Sequence, residues 1–431
     1  MIYFEFCSER RVCYKLCRIK HSKNQFSSER NHLSTILSNS KNFVKYDFHS
    51  SVVFTKISFI FTPKITRNKF LNLSRIHLSK YLLMNEGRRK ELAMKKKYFF
   101  LIISILAFGT VGRGQESRIG IHDPVMIKQD NKYYLFATGR GISNWSSTDM
   151  KNWTQEKPVF NEPPQWAVDA IPTFRGHIWA PDISFHNGQY YLYYSVSAFG
   201  KNTSCMGVAT NKTLDSSDPD FKWVDHGAVI CSTPGVDNWN AIDPNLIFGE
   251  DGAAYLVYGS FWDGLQIVRL NNDLISVYPE EKPRTIASRK PDINMPNPPS
   301  IDNNPIDAGG NAIEAPFIFK KGKYFYFIAS IDYCCKGVNS TYKMVYARSE
   351  KVTGPYLDKD RKPLRTGGGT ILMAGDNDWH GVGHNGIISS DGKDYIMFHA
   401  YDAKDDGKSK LRIFNLALDE NDWLVIGESV Y

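Results

Sequence analysis

Gly188-Gln189-Tyr190-Tyr191-Leu192 places a turn glycine ahead of an aromatic run, and the same pattern occurs four more times along the chain. The other copies are Asn131-Lys132-Tyr133-Tyr134-Leu135, Gly252-Ala253-Ala254-Tyr255-Leu256, Gly322-Lys323-Tyr324-Phe325-Tyr326 and Gly392-Lys393-Asp394-Tyr395-Ile396. Gly beside Asn, Asp or Lys just before a β-rich run is hairpin chemistry, because the turn needs backbone angles that most side chains resist. Recurrence of one such unit is the mark of a repeat architecture. The aligned positions Leu135, Leu192, Leu256, Tyr326 and Ile396 are 57, 64, 70 and 70 residues apart, room for roughly four short strands with their loops in each unit. Long periodic helices are absent from the pattern, and 26 Phe and 23 Tyr suit strand faces packed sheet on sheet. The expected fold is all-β, a five-bladed β-propeller, with these tyrosines holding the blades together.

Working upstream, each aromatic run is preceded by a second strand that opens on a polar residue near Pro or Gly. The openings are Asp123-Pro124-Val125, Ala180-Pro181-Asp182, Asp243-Pro244-Asn245, Glu314-Ala315-Pro316 and His384-Asn385-Gly386. The first strand of a blade lines the central channel, so Asp123, Asp182, Asp243, Glu314 and His384 are expected to converge around one axial pocket. Taken singly, each is an ordinary turn or cap residue; the five together point to chemistry. Carboxylates crowded in one pocket are driven apart in pKa by burial and mutual repulsion. Glycoside hydrolysis needs that separation: one carboxylic acid protonates the leaving oxygen while a carboxylate activates water or attacks the sugar. Sequence alone does not distinguish inversion from retention. Trp179, Phe199-Gly200 and Ser260-Phe261-Trp262 lie in loops by these strands, where aromatic rings can stack on sugar faces and small polar groups can bond hydroxyls. For Trp179 and Trp262, packing between blades is an equal alternative. Trp145, Trp153, Trp223 and Trp423 lie off the strand openings and are assigned to packing.

Charge divides the chain. Residues 1–115 carry 22 Lys and Arg against 6 Asp and Glu; of the chain's 53 and 45, the remainder therefore holds 31 and 39, a net charge of −8. A domain of that sign argues against nucleic acid as partner. Met94-Lys95-Lys96-Lys97 followed by the uncharged run Tyr98–Val111 and small residues at Gly112 and Gly114 has the layout of a secretory signal, and the run is shorter than the ~20 residues of a permanent span. The expected organisation is thus an upstream extension over 1–93 that is not part of the mature protein, a signal peptide over 94–115, and a catalytic propeller over 116–431. Export makes disulfides admissible. A bridge between neighbouring strands through Cys205 and Cys231 is one admissible pairing, which the sequence leaves open; Cys334 and Cys335 are adjacent, and none has zinc-ligand spacing.

The stretch from Gly120 to the C terminus resembles glycoside hydrolase family 43, and within it the endo-α-1,5-L-arabinanases. The resemblance rests on ordered motifs: Ile121-His122-Asp123-Pro124, His177-Ile178-Trp179-Ala180-Pro181-Asp182, Asn240-Ala241-Ile242-Asp243-Pro244-Asn245, Gly259-Ser260-Phe261-Trp262-Asp263-Gly264 and Ile313-Glu314-Ala315-Pro316. It implies Asp123 as general base, Glu314 as general acid and Asp243 as the carboxylate that tunes and orients the acid, with inversion. It also implies one calcium ion at the propeller axis, held through His384 and water; a single histidine is a poor calcium site on general grounds, so a channel-lining hydrogen-bonding role for His384 stays open. Trp179, Gly200, Asn240, Ser260, Phe261 and Trp262 are the expected substrate contacts. Asp332–Thr341 looks like the arabinanases rather than the family's xylosidases. The expected partner is arabinan or the arabinan side chains of pectin, met outside the cytoplasm by a monomer with no stable membrane span. Two alternatives remain: an exo-acting α-L-arabinofuranosidase or β-xylosidase on the same fold, which a cleft walled off by the Pro- and Asn-rich stretch 291–311 would favour, and a glycan-binding propeller without catalysis, which has no need of three carboxylates.

Overall fold

The structure, a computed structural model, describes residues 5–7, 13–15, 119–292 and 311–431. The expected signal peptide, nearly all of the upstream extension, and residues 293–310 of the Pro- and Asn-rich stretch lie outside the described residues. Residues Glu5–Cys7 pair antiparallel with Cys13–Lys15.

From residue 119 onward the chain forms five antiparallel sheets in sequence order, a five-bladed β-propeller. The first blade comprises Val125–Gln129, Lys132–Ala137, Ser143–Ser147 and Thr154–Gln155; the second His177–His186, Gln189–Val196, Ser204–Asn211 and Val224–Ser232. The third comprises Asn245–Phe248, Ala254–Tyr258, Leu265–Arg269 and Arg284–Ala287; the fourth Ile313–Lys321, Tyr324–Ile331, Lys343–Ser349 and Thr370–Ala374; the fifth Trp379–Ser390, Lys393–Asp402, Lys408–Leu418 and Leu424–Ser429. In every blade the strand opened by the polar motif pairs with the aromatic strand after it, as the repeat required. Gly139–Arg140 adds a short fifth strand against the start of His177–His186.

Five core clusters lie at the five borders between blades, and strand alternation explains them. Successive side chains point to opposite faces of a sheet, and both faces of a blade are covered by neighbours. In the first blade Tyr134 and Phe136 pack with Ile183 and Leu192 of the second, while Tyr133 and Leu135 pack with Met397 and Ile413 of the fifth. The aromatic strands therefore read as continuous apolar runs, since neither face meets water. Each fully buried Leu or Phe contributes roughly 1.5–3 kcal/mol. The tryptophans assigned to packing do pack: Trp223 against the first cluster, Trp145 and Trp153 against the last, and Trp423 beside Tyr346. Cys205 and Cys231 face each other across paired strands of the second blade and are bonded, as are Cys334 and Cys335.

The backbone carries the five-fold repeat more faithfully than the side chains do. Asp123, Ala180, Asp243, Ala315 and His384 all have positive φ, between 43° and 58°. L-residues enter this region at a cost, Asp and His less reluctantly than Ala, so its recurrence marks the true equivalent position. This corrects the expected register. Glu314 stands one residue before that position and Asp182 two after it. From there Asp182 does not line the cleft; it is buried, its two oxygens accepting from the Leu246 main-chain N–H at 2.8 Å and the Asn245 amide at 3.3 Å. It ties the second blade to the third.

The N–H of four of these five left-handed residues is held from the end of the preceding blade's aromatic strand. Ala180 N–H donates to Thr138 Oγ1 at 2.9 Å, Asp243 N–H to Ser195 Oγ at 3.0 Å, His384 N–H to Ser330 Oγ at 2.9 Å, and Asp123 N–H to His399 Nδ1 at 3.2 Å. In the third blade the corresponding position, just past the strand Ala254–Tyr258, is Gly259, which has no side chain to offer, and there Asp243 Oδ2 accepts the Ala315 N–H at 3.1 Å.

Candidate active site

The inner strands deliver their openings to one cleft of about 680 Å³. Asp123, Asp243, Glu314, Trp179, Phe199, Gly200, Asn240, Ser260, Phe261, Trp262 and His384 line it as expected from sequence, and Asp182 does not. Every blade contributes, with Asp123, Trp179, Asp243, Glu314 and His384 coming from the first to the fifth in turn.

Asp123 is held by three side-chain donors, two on Oδ1 and one on Oδ2. Its Oδ1 accepts from His122 Nδ1 at 2.8 Å and His384 Nδ1 at 3.0 Å, and its Oδ2 accepts from Thr138 Oγ1 at 2.5 Å. Burial alone would raise its pKa, but the hydrogen bonds from His122 and His384, with the positive field of His384, hold it well below the usual carboxylate range. Asp243 and Glu314 have the opposite setting. Burial raises Asp243 to about 8, with Glu314 and Asp123 adding repulsion and His384 opposing. Burial also raises Glu314, against hydrogen bonds from Ser260 and Tyr342 and the field of His384; the Ser260 Oγ–H donates to Glu314 Oε2 at 2.6 Å. One pocket thus holds an ionised carboxylate and a pair that retains a proton, the division of acid and base on which carboxylate-pair chemistry depends.

His384 is buried, which by itself would depress its pKa; Asp123 first, then Asp243 and Glu314, raise it to about 9. As a metal ligand it brings a single imidazole. Beside it both amide atoms of the buried Asn385 lack a partner among the described residues. One nitrogen and one amide oxygen are far short of the six to eight oxygens of a calcium shell, so these residues fit only an ion that keeps most of its water.

The expected sugar contacts divide by exposure. Trp262 is 2% exposed and Asn240 3%; Asn240 Oδ1 accepts from Ser204 Oγ at 2.6 Å, so both build the wall more than they present a face. Trp179 is half-buried, its Nε1 donating to His177 Nδ1 at 2.9 Å. Phe261 stands 5.9 Å from Tyr333, ring to ring, and Lys336 lies over the Tyr333 face. Phe199, 80% exposed, forms the open rim beside Gly200. The Cys334-Cys335 pair and Tyr342 complete the lining on the fourth blade.

His122, Thr138, Tyr342, His399 and Tyr401 were not singled out from sequence. His122 was within a quoted motif. Thr138, Ser195 and His399 recur three residues after Leu135, Leu192 and Ile396, a signal the repeat already contained.

Comparison with known proteins identifies the family. The family model described as "Glycosyl hydrolases family 43" matches residues 118–424. The chain is 45% identical over 311 residues to an extracellular exo-alpha-(1->5)-L-arabinofuranosidase of Cellvibrio japonicus, covering 72% of this chain and 87% of that one. It is 42% identical over 300 residues to an extracellular endo-alpha-(1->5)-L-arabinanase of Bacillus subtilis, covering 69% and 84%. Among solved structures, an exo-1,5-alpha-L-arabinanase from a bovine ruminal metagenomic library superposes with a TM-score of 0.67 at 46% identity, over 73% of this chain and 99% of that one.

Proposed function

The chain belongs to glycosyl hydrolase family 43 and is a glycoside hydrolase, and from that premise we propose that it cleaves α-1,5-linked L-arabinan with inversion. The observation that carries the proposal is the opposite setting of carboxyl groups in one cleft: Asp123 ionised, Asp243 and Glu314 shifted toward retaining a proton. Asp123 is the general base. Its carboxylate takes a proton from the water that attacks the anomeric carbon. Glu314 is the general acid and protonates the leaving glycosidic oxygen on the opposite face. Asp243 accepts the Ala315 N–H and so holds the backbone next to Glu314, and because two buried carboxyl groups this close repel each other as anions, a proton is retained between them.

An ion held by His384, with Asn385 and water around it, would add positive charge at the axis and favour the ionised form of Asp123. A proton on His384 supplies the same sign of field.

The relative at 42% identity is named an alpha-(1->5)-L-arabinanase and the one at 45% an alpha-(1->5)-L-arabinofuranosidase, and both are named extracellular; we carry action on α-1,5-arabinan and export to this chain, with export by the segment 94–115. Cleavage inside the polymer is the mode we favour from the motif order and the Asp332–Thr341 stretch. Release from an end is the second reading, favoured by the exo-acting names among the relatives. The deciding experiment is a time course on linear α-1,5-arabinan. Mixed oligosaccharides appearing early establish internal cleavage, arabinose or one short product alone establishes the exo mode, and no release overturns the proposal.

A further inference from the structure

The proton positions around Asp123 close into a loop. Asp123 Oδ1 can only accept, so the His122 nitrogen 2.8 Å away, Nδ1, carries a proton. His122 Nε2 meets the Tyr401 hydroxyl at 2.8 Å. The Tyr401 oxygen already accepts the Cys335 N–H at 2.8 Å and lies against the Ser340 hydroxyl and, at 3.5 Å, His399 Nε2. With one lone pair taken by the Cys335 N–H and the other by a proton from Ser340 or His399, its own proton goes to His122 Nε2. His399 Nδ1 accepts the Asp123 main-chain N–H at 3.2 Å, so the proton of a neutral His399 sits on Nε2 and faces Tyr401. The path leaves Asp123 by its N–H and returns to its carboxylate.

Internal symmetry shows what the imidazole at 399 adds. In three other blades the same latch on a left-handed N–H is made by the hydroxyl of Thr138, Ser195 or Ser330. A hydroxyl satisfies that N–H as well as an imidazole does. Only the imidazole presents a second nitrogen, on its far side, to Tyr401. The two rings of the loop are stacked, His122 on His399, with centroids 3.7 Å apart and planes 25° from parallel, and His399 is completely buried. Stacking at that distance disfavours two cations. Ligating atoms of His122, Asp123 and His399 lie within 4.8 Å of one another, as in a chelate, yet each has its partner within the loop.

We propose that His122, Tyr401 and His399 are positioning residues that grip Asp123 at both its carboxylate and its main-chain N–H, fixing the direction in which the carboxylate faces the attacking water. This rests on Asp123 being the general base. The grip requires His122 and His399 to be neutral and in opposite tautomers, Nδ1–H and Nε2–H.

Two measurements test it. Long-range proton–nitrogen spectra of the full protein labelled with ¹⁵N-histidine are expected to show one Nδ1–H and one Nε2–H imidazole whose signals change in Tyr401→Phe; like tautomers, or a charged ring at either position, overturn the proposal. This readout is independent of substrate, so an inactive wild type would refute the arabinan reading and leave the ring to be judged by the spectra. In the active enzyme, Tyr401→Phe removes one oxygen from the loop, and His399→Asn keeps an acceptor near the Asp123 N–H but loses the reach to Tyr401. Both are expected to lower kcat about ten- to hundred-fold with KM within about two-fold, and the double variant to lose little more than either alone, as for groups acting as a unit. Folded variants with wild-type kcat overturn it. If both variants fail to fold, the wild-type tautomers decide.

Discussion

Asp123 and Glu314 occupy one cleft under opposite fields, and single substitutions should separate them. Asp123→Asn keeps shape and removes the base; Glu314→Gln does the same for the acid. Each is expected to lower kcat by about a thousand-fold or more while oligosaccharide binding, read by calorimetry, and the melting temperature change little. Ser260→Ala tests the setting of the acid. The Ser260 hydroxyl donates to the Glu314 carboxylate and so favours its ionised form. Without that donor the pKa of Glu314 rises, and because the acid is active only while protonated, the alkaline limb of the kcat/KM profile should move to higher pH. A limb that stays in place or moves down would assign it to another group.

Among the elements, the borders between blades carry both stability and site geometry. Asp182 was expected at the axis from its place beside Pro181, yet it spans the border between the second and third blades. Asp182→Ala leaves the buried Leu246 N–H without its acceptor, a loss of about 1–3 kcal/mol, to be measured as a lower denaturation midpoint with kcat on arabinan essentially unchanged. A collapse of kcat in the folded variant would return Asp182 to the catalytic set. The latches work the same way at the axis: a hydroxyl or imidazole at the end of one blade's aromatic strand holds the left-handed residue that opens the next blade.

For the whole molecule, closure of the ring brings together residues remote in sequence. Ile121 N–H donates to the Ser409 carbonyl and Leu411 N–H to that of Ile119, so the segment just before the first blade lies along the last. A chain beginning at Glu116 retains these bonds and should melt like the full chain and hydrolyse arabinan at its rate. A chain beginning at His122 lacks them, together with the buried Ile121, and should melt several degrees lower. Equal melting of the two would show that closure rests on the side-chain core between the fifth and first blades alone.

How much of this was legible in the sequence follows from what repeats. Turn glycines with aromatic runs recur because every blade needs the same hairpin buried on both faces, so blade number, strand pairing and the convergence of Asp123, Asp243, Glu314 and His384 could be read from local pattern. The equivalence of positions could not. Glu314 and Asp182 stand one and two residues away from the left-handed site, and a shift of one or two residues is invisible in composition but decides whether a carboxylate faces the axis or a neighbouring blade. The loop through His122, Tyr401 and His399 was likewise hidden, because it joins the first inner strand to the last blade across more than 270 residues. Local chemistry determined the hairpins, and hairpins determined the propeller. Which groups meet, and which proton each carries, was decided only when the ring closed, because hydrogen bonds and fields act through space and not along the chain.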